Sequence, residues 1–366
     1  MMRSGYLRAS VAAGLFALLV FETVPLGALR AQAQGAQSKP QQQPPVTVPA
    51  GPKETKPADQ YSLTVEVPLV SLDVVVADEK GDPITGLKRT NFRVNEDGAL
   101  QHLTNFTTPD AAITSVLLVE FSSRGIFGYP AYAANAVTWA DVFLSQLRKD
   151  DWVALVSFDF HTRIEADFTQ DKRAVHEALA RMIIPGFHES NLFDALIETL
   201  DNLKDVKGRK SIVVLASGVD TFSKHTLDQT YKRVKETDVT IFPIGVGEVV
   251  AITRESISPY ASNIGYYQAK NQLTEFARIT GGHAYFPRFD GEIPGNMQEI
   301  AAMLRSQYSL GYTPTNQAQD GKFRKIKVDL VGDDGAPLEV RDQKGKKLKL
   351  VVFARQGYTA PKGPAS

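Results

Sequence analysis

The middle of this 366-residue chain alternates short apolar runs with helix-like patterns, and this feature constrains the fold more than any other. The apolar runs occupy residues 115–119, 153–158, 212–215 and 239–244. Apolar residues at a spacing near 3.6 predict helices over residues 131–147, 172–182, 192–203 and 227–235. Strands that alternate with helices become parallel neighbours joined by right-handed crossovers. We therefore predict an α/β domain over residues 109–306, with a doubly wound, mostly parallel, Rossmann-like sheet.

The last part of this domain has four further predicted features. A helix over 273–279 ends at Gly281 and Gly282 and leads into a strand over 283–287. A final helix covers 296–306. The intervening residues 249–272 are predicted to form a loop, which is longer than ordinary connections.

The segments on either side of this domain read as short antiparallel strands. Apolar residues alternate at Leu72, Val74 and Val76, and turn residues separate the runs in both 61–108 and 307–358. Neither segment has enough strands to form a stable sheet structure alone. We predict that the two flanks together form an antiparallel β-sandwich into which the α/β domain is inserted, followed by a flexible tail over 359–366.

The N-terminus has the pattern of a secretory signal peptide. Arg3 and Arg8 precede an apolar run over 11–21, and small residues follow at Ala31 and Ala33. A Gln- and Pro-rich stretch over 34–60 is predicted to be a disordered linker. We expect a secreted or periplasmic protein, for which a membrane is a partner only if the signal peptide of residues 1–33 stays uncleaved.

The composition argues against one class of partner and one kind of stabilisation. Forty-one basic and 41 acidic residues give a formal net charge of zero, which argues against nucleic acid as a partner. The chain has no cysteine, so no disulfide can stabilise it.

Several ordered motifs resemble a von Willebrand factor A domain. They are "TSVLLVEFSS", "SNLFDAL", "RKSIVVLASGVD", "VTIFPIGVG" and "LTEFARITGGHAYF". The flanking motifs "LDVVVADEKGDPITGLKRTNFRVNEDG", "RSQYSLGYTPTN" and "ARQGY" are similar to the exported subgroup of acidobacterial type. The resemblance implies a non-enzymatic adhesion or assembly module whose partner is another protein.

The same resemblance implies a metal-ion-dependent adhesion site built from three loops. The family places an Asp-x-Ser-x-Ser run, a Thr and an Asp there, and in this sequence those positions hold Glu120, Ser122, Arg124, Ser190 and Ser217. The site has lost one acidic residue, at Ser217, and has gained a permanent cation, Arg124. We predict a degenerate site in which Arg124 pairs with Glu120 and no cofactor is bound. The alternative is a metal-dependent receptor with a weakened Mg²⁺ or Mn²⁺ site formed by Glu120, Ser122 and Ser190, with Asp220 as an auxiliary ligand.

Two further predictions concern the same edge of the sheet. Phe127, Tyr129 and Phe187 are candidate interface residues, because exposed aromatic side chains often anchor protein interfaces. A hydrolase with an unrecognised site is a third possible function. Ser157, Asp159 and His161 alternate along one strand, a spacing that does not place a histidine between the other two.

Overall fold

The computed structural model describes residues 69–123, 130–182, 185–247, 249 and 264–363. All features below belong to the compact unit that spans Thr64–Ser366. The predicted signal peptide and linker lie outside the described residues. In the described part of the chain, no helix combines the length and apolar character needed to cross a membrane.

The described strands, in chain order, are β1 (Val70–Asp78), β2 (Phe92–Glu96), β3 (Ala99–Gln101), β4 (Leu103–Thr107), β5 (Ile113–Glu120), β6 (Trp152–Phe158), β7 (Thr162–Thr169), β8 (Arg209–Ala216), β9 (Thr240–Gly245), β10 (Tyr308–Tyr312), β11 (Phe323–Leu330), β12 (Leu350–Ala354) and β13 (Gly357–Thr359). The described α-helices are α1 (Pro130–Gln146), α2 (Lys172–Ala180), α3 (Leu192–Asn202), α4 (Leu227–Glu236), α5 (Ile264–Thr280) and α6 (Ile293–Arg305).

The inserted domain is built on a five-stranded sheet with the order β7-β6-β5-β8-β9. All neighbours in this sheet are parallel except the pair β6 and β7. One hydrophobic core joins the sheet to α1, α2 and α6, and a second core joins its other face to α3, α4 and α5. Every residue of β8 and β9 is buried, as expected for strands that are covered on both faces. The predicted doubly wound fold is confirmed.

Strand β5 lies at the point where the winding direction reverses. The chain passes from β5 to β6 on one side and later enters β8 on the other side. In doubly wound sheets this reversal opens a crevice at the carboxyl ends of the strands, and ligands bind there. The ends of β5 and β8 therefore define the position of the candidate site.

Two antiparallel sheets form the second part of the fold. Their orders are β12-β1-β10-β4 and β13-β11-β2-β3, so each sheet combines strands from before and after the inserted domain. A shared core of inward-facing residues from both sheets includes Leu72, Val94, Tyr308 and Ile326. The flanking segments thus form one sandwich together, as predicted from the small number of strands in each.

A buried arginine joins the inserted domain to the sandwich at both crossovers. The Arg209 guanidinium donates hydrogen bonds to the Gln307 carbonyl at 3.0 Å and to the Pro109 carbonyl at 3.1 Å, and it also binds the Ala111 carbonyl. Nearby, the fully buried Asp151 accepts a hydrogen bond from the Ile113 N–H and pairs with Arg305. The segments that enter and leave the domain are therefore fixed by the same side chains.

Several local predictions were wrong. Helix α5 begins at Ile264, within the predicted loop. In this first part of the helix Ala269 is buried and the buried Gln272 amide donates to the Gly218 carbonyl, although the polar sequence hides the helical period. The predicted strand over 283–287 is reduced to an isolated bridge between Ile244 and Tyr285.

Three other regions also differ from the prediction. Strand β7 was not predicted, because an antiparallel edge strand with mixed polar residues lacks a clear alternating pattern. Residues 338–341 form no strand and lie between isolated bridges. Strand β13 extends to Thr359, and Lys362 bridges Asp320, so paired backbone continues past the predicted boundary at 358.

Candidate functional site

Glu120, the last residue of β5, is the centre of a buried polar network at the sheet reversal. Its side chain is 2% exposed. One carboxylate oxygen accepts a hydrogen bond from the Ser122 hydroxyl at 2.7 Å, and the other accepts one from the Ser217 N–H at 2.5 Å. We call Glu120, Ser122 and Ser217 the Glu120 network. It ties the end of β5 to the loop after β8 across the crevice.

The loop after β8 is shaped to bring the Ser217 N–H to this carboxylate. Gly218 has a positive φ of 81°, and an added Cβ would lie 2.8 Å from the Leu273 side chain of α5. A glycine is therefore required for both conformation and space. The Ser217 hydroxyl accepts a hydrogen bond from the Val219 N–H at 3.3 Å, which closes the turn.

Ser190, the third predicted ligand position, lies just before α3 and is fully buried. Its backbone N–H donates to the Thr221 hydroxyl at 2.9 Å, and its carbonyl accepts from the Thr221 N–H at 2.8 Å. Its own hydroxyl has no hydrogen-bond partner among the residues that the structure describes. The structure thus brings Glu120, Ser122 and Ser217 into contact, whereas the Ser190 side chain does not join their network.

Two carboxylates connect the start of α3 to the loop after β8, Asp220 from the loop and Asp194 from the first turn of the helix. Asp220 accepts hydrogen bonds from the Phe193 N–H at 3.0 Å and from the Ser223 hydroxyl at 2.6 Å, while burial raises the pKa of its carboxyl group. Asp194 is also partly buried, which favours its protonated form. Hydrogen bonds from the Lys224 and His225 N–H groups and from the His225 ring outweigh that effect and lower its pKa. Both acids therefore order the loop after β8 around the helix N-terminus.

The oxygen atoms of Glu120, Ser122, Ser217 and Asp220 are not arranged to bind the divalent cation that the fold family implies. Mg²⁺ prefers near-octahedral oxygen ligands and is usually held by one or more carboxylates. The Glu120 network offers one carboxylate whose two oxygens both accept hydrogen bonds, and Asp220 is engaged with α3. Among the described residues, no group of three or more His, Asp or Glu side chains is placed to hold a metal ion.

Arg124, Phe127 and Tyr129 lie outside the described residues, so the predicted Glu120–Arg124 ion pair stays a prediction. Phe187 is described and 43% exposed. Its ring packs 6.1 Å from the Phe160 ring and 5.5 Å from the His161 ring, measured between centroids. We call Phe160, His161 and Phe187 the ring cluster.

The loops that carry the ring cluster are connected by hydrogen bonds, two of which are made by the Asn191 side chain. The Asn191 amide donates to the Phe160 carbonyl at 3.2 Å and accepts from the Phe222 N–H at 3.1 Å. The Phe187 carbonyl accepts from the Ser123 N–H at 2.9 Å. Four loops at the carboxyl edge of the sheet are thus fixed relative to one another.

Sequence reasoning missed two exposed aromatic residues of this edge, Phe160 at 43% and Phe222 at 66%. Phe160 lies two residues after the end of the buried strand β6 and would ordinarily be assigned to its core. Its position one residue after Asp159, at a strand end, was the available signal for a loop residue.

The alternative catalytic candidates are not assembled into a relay. The Ser157 hydroxyl donates to Glu165 at 2.6 Å. Asp159 binds the Arg163 guanidinium at 3.0 and 2.5 Å and accepts from the His161 backbone N–H. The His161 ring packs in the ring cluster, so its observed contacts do not connect Ser157 with Asp159.

Comparison with known proteins gives a family match for part of the chain. The model of the von Willebrand factor type A domain matches residues 132–284, and a search of curated proteins found no match.

Three solved structures illustrate the similarity. The conserved hypothetical protein BatB from Bacteroides thetaiotaomicron is 14% identical, covers 53% of this chain and 100% of its own, and has a TM-score of 0.40. The vWF domain of the type V pili tip protein Mfa5 from Porphyromonas gingivalis is 12% identical, with 53% and 95% coverage and a TM-score of 0.41. A von Willebrand factor type A protein from Catenulispora acidiphila is 13% identical, with 78% and 74% coverage and a TM-score of 0.42.

Proposed function

We propose that this chain, which carries a von Willebrand factor type A domain, is an exported, non-enzymatic module that binds another protein without a divalent cation. The binding surface is the carboxyl edge of the parallel sheet, around the ring cluster and Phe222. The observation that carries this proposal is the rigid display of these aromatic side chains in solvent.

The physical argument starts from the cost of exposing large apolar side chains. Phe160 and Phe187 are each 43% exposed, although their loops are fixed by hydrogen bonds. Aromatic anchors held in place before binding lose little conformational entropy when a partner covers them. A fixed, exposed ring cluster is therefore suited to protein recognition.

The proposal of metal-free binding is supported by the Glu120 network. In related domains a cation connects the loops at this edge. Here the Glu120 carboxylate already connects β5 to the Ser217 loop by two hydrogen bonds. The loops then keep their arrangement without a bound ion, and the Arg124 charge contributes to this if the predicted ion pair forms.

Export is supported by the sequence of the first 33 residues and by the similarity of the flanking motifs to an exported subgroup. Cell fractionation combined with N-terminal sequencing tests it. A protein that stays in the cytoplasm with its N-terminus intact would contradict export.

The experiment for the binding surface is capture of partners from the envelope fraction of the native organism. Wild-type protein is compared with the double variant Phe160→Ala and Phe187→Ala. The matched control is Trp152→Ala, since Trp152 is 44% exposed but lies at the amino end of β6. We expect the double variant to lose a specific partner that wild type and the control retain.

The metal-dependent alternative is distinguished in the same capture. We expect partner recovery to be equal with excess EDTA and with added Mg²⁺. Recovery that requires Mg²⁺ and disappears with EDTA would favour a metal-dependent adhesion receptor. Loss of partner in the Trp152→Ala control would place the binding surface elsewhere.

A further inference from the structure

The β-sandwich has an apolar groove on the side where its two sheets are least covered. A cavity of about 480 Å³ lies between β11 of one sheet and β12 of the other. Its apolar lining consists of Val328, Leu330, Pro337, Leu338, Leu348, Leu350 and Val352. We call this cavity the sandwich groove.

The floor of the groove is continuous with the hydrophobic core of the sandwich. Val328, Leu330 and Val352 pack directly against that core and are only partly buried. The core therefore reaches solvent here instead of being closed by another element. Covering these side chains would contribute roughly 25 cal/mol for each Å² removed from water.

The backbone beside the groove is also open to pairing. Strand β12 is the last strand of its sheet and pairs with β1 on one side. Strand β13 pairs with β11 at Phe323, Arg324 and Lys325 only. Farther along β11, the Leu330 carbonyl accepts a hydrogen bond from the Leu338 N–H at 3.1 Å. An edge strand above an apolar floor is the arrangement to which extended peptides add as an extra strand.

A basic segment forms the rim of the groove. Residues 341–349 contain five basic residues and one acidic residue, Asp342. The Asp342 carboxylate accepts hydrogen bonds from the backbone N–H groups of Lys344 and Lys346, each at 2.9 Å. Arg341 and Lys347 pair with Glu339, and Lys349 pairs with Glu79. Asp329, which also lines the groove, pairs with Lys327. No ion pair joins Lys344 or Lys346 to another described residue, so the rim keeps an excess of positive charge at these two lysines.

From the open edge, the apolar floor and the basic rim, we infer that the sandwich groove binds an extended protein segment in which apolar residues alternate with acidic ones. The backbone of this segment pairs with β12. Its apolar side chains enter the groove, and its acidic side chains face the lysines, because successive side chains of a strand point to opposite sides. This surface lies on the sandwich, so the inference is independent of the function proposed for the carboxyl edge of the parallel sheet.

The test uses full-length protein and a short synthetic peptide that alternates valine with glutamate. One control peptide replaces each glutamate by lysine, and another has the same composition with all valines in one block. We expect only the alternating valine–glutamate peptide to bind. Amide hydrogen exchange should then slow in Leu350–Ala354.

Two sets of variants locate the binding. Leu338→Asp places a charge in the groove, and Leu100→Asp is the matched control at a leucine that is 61% exposed on strand β3. We expect Leu338→Asp to lower the affinity by at least about tenfold and the control to leave it unchanged. The charge-reversal pair Lys344→Glu and Lys346→Glu should weaken binding of the glutamate peptide and allow the lysine peptide to bind. If Leu338→Asp impairs folding, the charge-reversal pair still tests whether the peptide binds at the groove.

Several results would overturn the inference. They are absence of peptide binding, equal binding of the glutamate and lysine peptides, and unchanged binding by both the folded Leu338→Asp protein and the charge-reversal pair. Sedimentation that shows a dimer which dissociates in the Leu338→Asp variant would assign the groove to a second copy of this chain. Binding to anionic lipid vesicles that requires Lys344 and Lys346, without peptide binding, would assign the rim to a lipid surface.

Discussion

Replacement of Glu120 by glutamine tests whether the carboxylate acts as an internal structural acceptor. The carboxylate accepts one hydrogen bond from a hydroxyl and one from a backbone N–H, and it is 2% exposed. A glutamine side chain has one acceptor oxygen, which can serve the Ser217 N–H. Its amide NH₂ group must then face the Ser122 hydroxyl, which can accept in return.

The magnitude follows from the difference between charged and neutral hydrogen bonds. Bonds to a charged group contribute about 1.5–3 kcal/mol and neutral ones about 0.5–1.5 kcal/mol. With two such bonds, Glu120→Gln should lower the free energy of unfolding by about 2 kcal/mol. Glu120→Ala removes both acceptors and leaves the Ser217 N–H unpaired, so the loss should reach about 3–5 kcal/mol.

The assay is urea unfolding at neutral pH, in which the midpoint shifts and the slope stays constant. Glu79→Gln is the control, because Glu79 is 59% exposed in its ion pair with Lys349 and such pairs contribute little. We expect no measurable change in this control. Each variant is also unfolded with added Mg²⁺.

The Mg²⁺ measurement supplies the refuting result. A ligand present at 100 times its dissociation constant stabilises the folded state by about 2.7 kcal/mol. If Mg²⁺ stabilises the wild type in this way, and Glu120→Gln abolishes that gain without altering stability in EDTA, then Glu120 is a metal ligand and the structural argument fails.

Three other perturbations give separate tests. Arg209→Met removes the hydrogen bonds at both domain crossovers and should lower the free energy of unfolding by about 3 kcal/mol or more in urea; an unchanged midpoint would contradict this. Burial raises the pKa of Asp73 from 3.8 to about 6 even though Ser309 donates to it, so its protonated form favours folding below pH 3.8 and that contribution is lost as the pH rises through 6. Asp73→Asn should therefore match the wild type near pH 4 and be up to about 3 kcal/mol more stable at pH 7 in urea unfolding; equal pH profiles would refute the effect. Asn191→Ala removes the hydrogen bonds to the loops of Phe160 and Phe222 and should cost about 1–2 kcal/mol, with faster amide exchange at Phe222; unchanged exchange would show that the loops are fixed by other contacts.

The predicted fold class was accurate where local pattern and tertiary burial agree. The apolar runs of β5, β8 and β9 are buried on both faces, so their composition alone indicated parallel strands. The prediction was wrong where packing overrides the pattern. The polar first half of α5 is helical and is fixed by the buried Ala269 and by the hydrogen bond from Gln272 to the Gly218 carbonyl. The mixed sequence of β7 becomes a strand by pairing with β6.

The candidate site was predictable to a similar extent. The order of the motifs indicated that Glu120, Ser122, Ser190 and Ser217 belong to one edge of the sheet. It did not indicate that the Ser217 backbone, rather than its side chain, would contact Glu120, because that depends on the turn at Gly218.

The sequence by itself determined the alternation of strands and helices, the combination of two incomplete β flanks, and the presence of an uncharged serine at position 217. Each of these depends on residue type and spacing along the chain. Only the tertiary structure decided that both Glu120 oxygens accept hydrogen bonds and that the Asn191 side chain connects the backbones of the Phe160 and Phe222 loops. It also decided that β11 and β12 leave a groove open. These features join residues far apart in sequence, and hydrogen-bond partners and uncovered surfaces become defined only when the strands and loops have packed together.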